Sequence, residues 1–440
     1  MINTDVTVIG GGAAGLMAAI TAARCGAQVI ILEHMDRVGK KILSTGNGKC
    51  NYTNALQGIS YYRGEDPAFV LPVFEQFDFA KTVAFFKELG IYPKVRNGYY
   101  YPASEQAASV LDVLRMECDY LDVEIRTSCE LNSVKKGKNG YVIDTNIGAF
   151  STQTVVFAPG LLAAPKTGSD GSAFPHIEKI GHHFIDIVPA LVQLQGKQSF
   201  FKNLAGIRAE VAVQLYIEEP DFHAKKNKND RNATGAKSVK NDTNYKMVCE
   251  ENGELQLTEY GISGIPVFQI SRFATRALHE HRSVYALIDF MRGLEEQELF
   301  SMLQERFLEY SRGKSVSEAL IGLFNKKLID VLLKESGINL HLPAEQLKNP
   351  QIHKLCHTIK KFRVDVIGSK GVDAAQVCAG GVDTSEVDAN TMESKIAPGI
   401  YFAGEVLDID GTCGGYNLQW AWSSGYVAGM YAAKKGKSNA

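Results

Sequence analysis

The first 33 residues constrain the fold more than any other part of this chain. Residues 5–10, DVTVIG, form a short β-branched run that ends in glycine, which is typical of a buried parallel strand. An alanine-rich segment of strong helix formers follows, and Gly26 closes it. Residues 27–33, AQVIILE, predict a second buried strand. Strand, helix and strand within about 30 residues make a βαβ unit, which predicts a Rossmann-like α/β fold.

The glycines between the first strand and the helix have the spacing G-x-G-x-x-G, at Gly10, Gly12 and Gly15. The first makes a tight turn, the second lets backbone approach a pyrophosphate, and the third allows close helix–strand packing. The helix N-terminus adds N–H groups and partial positive charge for the phosphates. Glu33 is placed to accept hydrogen bonds from ribose hydroxyls and disfavours a 2′-phosphate, so we do not expect NADP here. The motif predicts a dinucleotide site, but by itself it fits both FAD and NAD.

A second glycine-rich segment, near the carboxyl end, suits a long cofactor held at both ends. Residues 399–406, GIYFAGEV, predict a buried strand that delivers Gly404 and Glu405, and this acid can bind a polyol chain. A helix then begins at Gly415, and its N–H groups, together with Asn417, can stabilise negative charge on a reduced flavin ring. A glycine-rich helix start that serves packing alone is the competing interpretation.

Composition excludes several other classes of protein. The 440 residues are 45% hydrophobic and 22% charged, with a formal charge of −2, which gives no general attraction to nucleic acid or anionic membrane. Eight cysteines without a Cys-x-x-Cys pair argue against a zinc knuckle and a disulfide scaffold, and fit a reducing compartment. We find no signal peptide and no apolar run of about 20 residues, so we expect a cytoplasmic protein.

The middle of the chain differs from both ends. Alternation in AEVAVQLYI, residues 209–217, predicts a β-rich region, and residues 294–357 have the pattern of helices. The basic run at 225–242 is either a solvated hairpin tip or a binding segment, and we expect the solvated tip. The predicted domains are the first part of an FAD-binding domain at 1–188, an inserted substrate domain at 189–365 with a helical lid at about 294–357, and the second part of the FAD-binding domain at 366–440.

Two further predictions concern the first domain. Residues 68–89 predict a single helix. Short alternating runs at 123–127, 131–135 and 141–145 predict a small antiparallel sheet.

Long segments of the chain resemble the BaiN/RdsA-type NAD(P)/FAD-dependent oxidoreductases. The segments are VIGGGAAGLMAA, GKKILSTGNGKCNYTN, AGGVDTSEVDANTMESK, YFAGEVLDIDG and GGYNLQWAWSSG, with YGISGIP in the insert. The resemblance implies a flavin domain of the glutathione reductase group, interrupted by a β-barrel-like subdomain that carries a helical lid. Members of the family include aminoacetone oxidase and bacterial reductases of 3-dehydro bile acids.

The resemblance also implies a set of FAD-binding residues. Gly10, Gly12, Ala13, Ala14, Gly15 and Glu33 would hold the ADP half, and Val134 would touch the adenine through its backbone. Lys40, Lys41, Thr45, Gly46, Gly48 and Asn51 would follow the pyrophosphate and flavin, and Gly404, Glu405 and Asn417 would meet the ribityl chain and ring.

Two positions depart from the family pattern. The family loop reads Gly-Arg-Cys-Asn, whereas this chain has Lys49 before Cys50, and lysine lacks the planar bidentate fork of arginine. The insert motif follows Thr-His in the family, whereas this chain has Thr258 and Glu259. If the histidine of other family members donates a proton, this chain has no histidine at that position to do so.

Three functions remain in competition. The first is an NAD(P)H-dependent reductase of an activated C=C bond, such as a 3-oxo-4-ene of bile-acid or steroid-like shape. Because a second G-x-G-x-x-G is absent from the sequence, NADH or NADPH would bind transiently at the substrate face. The second is an oxygen-dependent amine oxidase of the aminoacetone oxidase type, and the third, more remote, is a flavin-bound RNA-modifying protein supported only by the basic run.

The sequence nominates no catalytic acid and no metal site. Tyr416, Lys49 and Cys413 are expected near the ring in positional roles, with Cys413 a bystander rather than a redox thiol. His182 and His183 are expected to contact solvent or to cap structure. Trp420 and Trp422 lie two residues apart, and we expect them to pack domains together rather than stack on a flavin.

Overall fold

The computed structural model describes residues 2–220 and 244–438, with side chains as far as residue 436, so the basic run at 225–242 lies outside the described residues. The strands are β1 Ile2–Ile9, β2 Val29–Leu32, β3 Thr53–Asn54, β4 Tyr62–Arg63, β5 Pro93–Arg96, β6 Tyr99–Pro102, β7 Glu124–Arg126, β8 Leu131–Gly137, β9 Gly140–Thr145, β10 Gly148–Phe157, β11 Phe184–Ala190, β12 Leu194–Gly196, β13 Arg208–Glu218, β14 Tyr245–Leu257, β15 Gly261–Gly264, β16 Val284–Asp289, β17 Phe362–Ser369, β18 Val377–Val382, β19 Ile400–Phe402 and β20 Asp410–Gly411. The α-helices are α1 Ala13–Arg24, α2 Lys40–Ser44, α3 Val70–Gln76, α4 Phe79–Glu88, α5 Ala107–Tyr120, α6 Phe174–Ile180, α7 Phe201–Leu204, α8 Ile265–His279, α9 Glu296–Leu308, α10 Val316–Ala319, α11 Lys326–Glu335, α12 Asn349–Lys360 and α13 Tyr416–Ser438.

The first compact unit, Met1–Ala190 with Val372–Ala440, is built on a mixed sheet. Its strand order is β7-β2-β1-β10-β9-β8, and β19 also pairs with β10. β1 runs parallel to both β2 and β10, and β10 is parallel to β19, as expected for strands linked by helical crossovers. All four residues of β2 are buried, which explains its continuous apolar sequence.

Two local predictions in this unit were wrong. The run at 123–127 does not join an antiparallel sheet, because β7 follows helix α5 and pairs in parallel with β2. The runs at 131–135 and 141–145 do pair as antiparallel strands β8 and β9, as predicted, but they extend the main sheet instead of forming a separate one, since β9 pairs with β10. The single helix predicted at 68–89 is two helices, because the Asp78 carboxylate accepts the Lys81 N–H at 2.8 Å and caps α4 as a new helix.

The second compact unit, Leu191–Gly371, is a closed barrel with a helical region. The barrel order is β12-β15-β14-β13-β16-β17, α8 packs on its strands, and α9 to α12 follow the barrel strand β16 along the chain. The predicted fold class, a Rossmann-like α/β domain interrupted by a barrel with a helical subdomain, is confirmed. The inserted unit ends at Gly371 rather than at residue 365, because β17 pairs with β12 and β16 and so belongs wholly to the barrel.

Candidate functional site

The loop between β1 and α1 has the geometry of a phosphate-binding turn. Gly10 has a φ of +99°, and a Cβ added there would lie 2.5 Å from the Ala158 carbonyl oxygen. A Cβ at Gly15 would lie 1.9 Å from the Gly10 carbonyl oxygen, so glycine is required for α1 to start so close to the strand. At Gly12, an added Cβ would meet no atom within 4 Å. The backbone there is open to a ligand, which is the property that pyrophosphate binding needs.

A cavity of about 360 Å³ lies against this loop and within the first unit. It is lined by the glycine loop, the ends of β2 and β10, helix α2, the start of β8 and the start of α13. The predicted residues that line it are Gly10, Gly12, Ala13, Ala14, Glu33, Lys40, Lys41, Thr45, Glu405 and Asn417. The structure therefore brings residues from both ends of the sequence to one cavity.

Glu33 is buried at one end of the cavity, where its carboxylate braces the glycine loop. Its Oε2 accepts the Gly11 N–H at 2.7 Å, and its Oε1 accepts the Met35 N–H at 2.9 Å. His34 also lines the cavity and was missed from the sequence, although it directly follows the predicted acid. Its Nε2 is buried without a hydrogen-bond partner, and the nearest acid is Asp170, with Oδ2 at 3.3 Å. An unsatisfied polar atom at this position fits a ligand group in the cavity.

A lysine–glutamate pair lies in the cavity further along. Lys41 Nζ contacts Glu405 Oε2 at 2.6 Å, and Glu405 Oε1 accepts the Cys378 N–H at 2.9 Å. Lys40 contacts Asp36 at 2.5 Å and also lines the cavity. Arg37 also lines the cavity, so three cationic side chains share its wall with Gly12, although both lysines already contact a carboxylate.

The start of α13 also lines the cavity, through Asn417 and Leu418. The Asn417 side chain is clamped to Gly411, since its Oδ1 accepts the Gly411 N–H at 2.8 Å and its Nδ2 donates to the Gly411 carbonyl at 2.8 Å. The side chain that we predicted to meet the ring thus fixes the loop, and the first-turn N–H groups of the helix remain for a ligand. We call this region the α13 end of the cavity.

Six predicted residues lie outside the cavity lining: Gly15, Gly46, Gly48, Asn51, Val134 and Gly404. Asn51 Oδ1 is buried without a hydrogen-bond partner, and a Cβ at Gly415 would lie 3.0 Å from it. A Cβ at Gly404 would lie 2.7 Å from the Ala14 Cβ, so this glycine serves packing on α1. Val134 packs on the hydrophobic core, and Glu130 and Leu131, at the start of β8, line the cavity.

The tryptophans pack inside the first unit, which corrects the expectation that they join domains. Both are buried in its hydrophobic core. Trp420 Nε1 donates to the Gly404 carbonyl at 3.0 Å, and Trp422 Nε1 donates to the Tyr52 carbonyl at 3.0 Å. These hydrogen bonds satisfy the only polar atom of each ring and fix α13 on the flanking loops.

The cysteine and histidines singled out from the sequence have structural surroundings. Burial raises the pKa of the Cys413 thiol, which disfavours the nucleophilic thiolate. His182 is buried between Glu386, at 3.0 Å, and Ser394, at 2.8 Å, so of its two expected roles the contact with solvent is wrong. His183 is exposed and contacts the same carboxylate at 2.5 Å. Across residues 2–220 and 244–438, no three His, Cys, Asp or Glu side chains group as metal ligands would.

These residues fit FAD. One cavity is lined by a glycine cradle that a Cβ would fill, by two lysines, by a histidine whose Nε2 makes no hydrogen bond, and by a helix N-terminus. Within the described part of the chain, the structure contains no helix with the length and apolar character of a membrane span.

Comparison with known proteins extends over nearly the whole chain. A family model described as the HI0933-like protein Rossmann domain matches residues 4–431. The chain is 41% identical over 432 residues to the 3-dehydro-bile acid delta(4,6)-reductase of Clostridium scindens, covering 98% of this chain and 99% of that protein. It is 29% identical over 439 residues to the ribosomal RNA dihydrouridine synthase of Escherichia coli, covering 99% of this chain and 100% of that protein. The solved 3-ketosteroid-delta4-(5alpha)-dehydrogenase from Rhodococcus jostii has a TM-score of 0.47 and 16% identity, over 98% of this chain and 97% of that one.

Proposed function

Since the chain belongs to the HI0933-like Rossmann family, we propose that it is an FAD-dependent reductase of an activated C=C bond. The protein is an FAD-dependent oxidoreductase, and the proposal concerns its direction, substrate and electron donor. The proposed substrate is a 3-oxo-4-ene of bile-acid or steroid-like shape, and the proposed donor is NADH or NADPH. The observation that carries the proposal is the 41% identity, over 98% of the chain, to a reductase of 3-dehydro bile acids.

The names of the two relatives describe one kind of chemistry. A delta(4,6)-reductase that acts on a 3-dehydro bile acid saturates C=C bonds conjugated with a ketone. Conversion of uridine into dihydrouridine saturates a C=C bond conjugated with a ring carbonyl. Both reactions add hydride to the carbon distant from the carbonyl and a proton to the carbon beside it. The shared chemistry supports reduction of an activated C=C bond as the reaction of this chain.

Specific residues would bind and orient the reactants. The glycine loop from Gly10 to Gly15 and the lysines of α2 would hold and neutralise the pyrophosphate. FAD, when bound, supplies a hydride acceptor and donor. The first-turn N–H groups of α13 would stabilise negative charge at the α13 end of the cavity, at no cost in reorganisation because Asn417 already fixes the loop.

A second candidate substrate is a uracil base in RNA. The observation that favours it is the 29% identity, over 99% of the chain, to the ribosomal RNA dihydrouridine synthase. The near-neutral formal charge of −2 weighs against it, because RNA binding at physiological salt relies on an excess of positive charge.

The experiment that tests the proposal is anaerobic reduction of the yellow purified protein. We expect NADH or NADPH to bleach the oxidised-flavin absorbance within seconds, and a 3-oxo-4-ene bile acid to restore it with formation of the saturated product. Restoration by an unmodified rRNA fragment alone would favour the RNA candidate. Absence of bleaching by either nicotinamide, with bleaching by a primary amine and recovery in oxygen, would make the protein an amine oxidase instead.

The cradle at Gly12 provides a prediction about the cofactor. We expect Gly12→Val to reduce flavin affinity by at least about 100-fold, because the side chain would enter the space that a pyrophosphate needs. Gly58→Val is the matched control, since an added Cβ at Gly58 meets only ordinary contacts of 3.8 and 4.0 Å. The measurement is the ratio of flavin to protein absorbance, with circular dichroism to verify folding. A folded Gly12→Val protein that stays yellow would exclude this loop as the cofactor site.

A further inference from the structure

The hairpin of β5 and β6 carries cations and tyrosines on one face. Lys94 pairs with Tyr101, and Arg96 pairs with Tyr99, across the two antiparallel strands. Residues directly opposite each other in an antiparallel pair project from the same side of a sheet. We call Lys94, Arg96, Tyr99 and Tyr101 the basic-aromatic face. Arg96 is exposed and Lys94, Tyr99 and Tyr101 are half-buried, so this face is accessible to solvent.

Positive charge is in excess at this face. Three cations surround the Glu105 carboxylate: Lys94 Nζ at 2.6 Å, Arg96 Nη2 at 2.7 Å and Lys49 Nζ at 3.3 Å. The hydrogen bond from Lys94 is the main cause that lowers the pKa of Glu105, so the carboxylate is ionised at neutral pH. A single negative charge cannot neutralise three positive ones. The cation side chains are 41%, 52% and 46% exposed, which leaves them open to an anion from solvent.

The basic-aromatic face adjoins the segment that leads to the α13 end of the cavity. A Cβ at Gly414 would lie 2.8 Å from Cε1 of Tyr99, and Asn54 Nδ2 donates to the Gly414 carbonyl at 3.0 Å. Three residues after Gly414, Asn417 lines the cavity. Tyr99 thus packs on Gly414, and the face lies beside the segment that enters the α13 end of the cavity.

We propose, on the basis of the proposed function, that the basic-aromatic face binds the anionic end of the substrate. Lys94 and Arg96 contact the carboxylate, and Tyr99 and Tyr101 contact the adjoining apolar body. Arginine and lysine bind carboxylates through charge-assisted hydrogen bonds, and tyrosine combines an apolar ring with a polar tip. The face thus selects a flat or apolar enone that carries an acidic group over a neutral one of the same shape.

The test compares an acid with its neutral ester. The variant is Lys94→Ala/Arg96→Ala in the holoprotein, and the substrates are a 3-oxo-4-ene bile acid and its methyl ester. We expect KM for the acid to rise about tenfold, and KM for the ester to change less than about twofold, because only the acid loses charge-assisted contacts. Equal changes for both substrates, or no change for the acid, would overturn the proposal.

Two control variants separate charge from folding. Lys87→Ala removes an exposed lysine of α4 that is outside the basic-aromatic face, and KM for the acid should be unchanged. Lys94→Arg/Arg96→Lys keeps both charges, and we expect most of the affinity for the acid to remain. Failure of the charge-preserving variant to recover affinity would show that the side chains act on the structure rather than on the anion.

A binding measurement keeps this inference separate from the proposed function. Cholate has no C=C bond to reduce, so its binding to the oxidised holoprotein can be measured by calorimetry whether or not the protein reduces enones. We expect tighter binding of cholate than of methyl cholate, with the difference lost in Lys94→Ala/Arg96→Ala. If this difference is present and no enone is reduced, the proposed function fails and the anion site stands. If enones are reduced and the variant binds cholate as tightly as the wild type does, the anion site is wrong. It is also wrong if the variant loses affinity for single-stranded RNA in the same assay and keeps its affinity for cholate.

Discussion

Most of the polar residues predicted to hold the cofactor make polar contacts within the chain itself. Glu33 braces the glycine loop, Glu405 pairs with Lys41, and Asn417 clamps Gly411. A sequence motif identifies such side chains by type and spacing, but it does not reveal which of their atoms are already bonded. Preorganisation of this kind favours binding because the groups are fixed before the ligand arrives.

At the same scale, His182 and His183 determine a local pH dependence of stability. Burial lowers the pKa of His182 below its ordinary 6.5, so stability falls as the pH drops below 6.5, where the unfolded chain binds a proton that the folded chain resists. The hydrogen bond with Glu386 raises the pKa of His183 above 6.5, so its contribution is present at lower pH and lost as the pH rises above 6.5. The contribution of the pair is therefore largest near pH 6.5.

We expect His183→Asn to abolish the decline in stability above pH 6.5, which His183 causes. The decline below pH 6.5, which His182 causes, should remain. The measurement is the free energy of unfolding in urea at about pH 5.5, 6.5 and 7.5, for the wild type and the variant. If the free energy of unfolding changes equally between pH 6.5 and 7.5 in the wild type and the variant, His183 does not cause the decline.

At the scale of elements, the helices α1 and α13 are joined by small residues. A Cβ at Gly425 would lie 2.5 Å from the Ala14 carbonyl oxygen, and one at Gly429 would lie 2.2 Å from the Ala18 carbonyl oxygen. Backbones can approach this closely only where no side chain intervenes. This contact sets the middle of α13 against the start of α1, and residues of both helices line the same cavity.

We expect Gly429→Ala to lower the free energy of unfolding by about 1–3 kcal/mol, because the added methyl group overlaps backbone that cannot move alone. Gly436→Ala is the control on the same helix, where the nearest atom to an added Cβ is 3.3 Å away, and its effect should be much smaller. Urea unfolding of both variants provides the comparison, and equal effects would exclude close helix packing as the cause.

At the scale of the whole molecule, the first unit has its own core and its own cavity. Every cavity-lining residue belongs to Met1–Ala190 or Val372–Ala440. The insert leaves after β11 and returns before β18, and Ala190 pairs with Val377 across these antiparallel strands. The two connection points are therefore close in space, so we propose that the first unit folds without the insert.

We expect a chain in which a short Gly-Ser linker replaces Leu191–Gly371 to fold and to bind FAD within about tenfold of the full-length affinity, since the cofactor contacts are retained. It should have no enone reductase activity, because the proposed substrate domain is gone. Flavin absorbance, circular dichroism and a turnover assay measure the three properties. A folded but colourless product would contradict the assignment of the cofactor to the first unit.

The sequence by itself determined the βαβ opening, the glycine cradle and the inserted β-rich unit, because each rests on local spacing and periodicity. Residues 10–15 act through their own backbone, so their pattern is readable without a structure. Only the tertiary structure decided that Glu130 and Leu131 line the cavity, and that the tryptophans pack within one unit. It alone brought Lys41 to Glu405, 364 positions apart in the chain. Contacts of that separation depend on how elements pack, and no local pattern of residues encodes them.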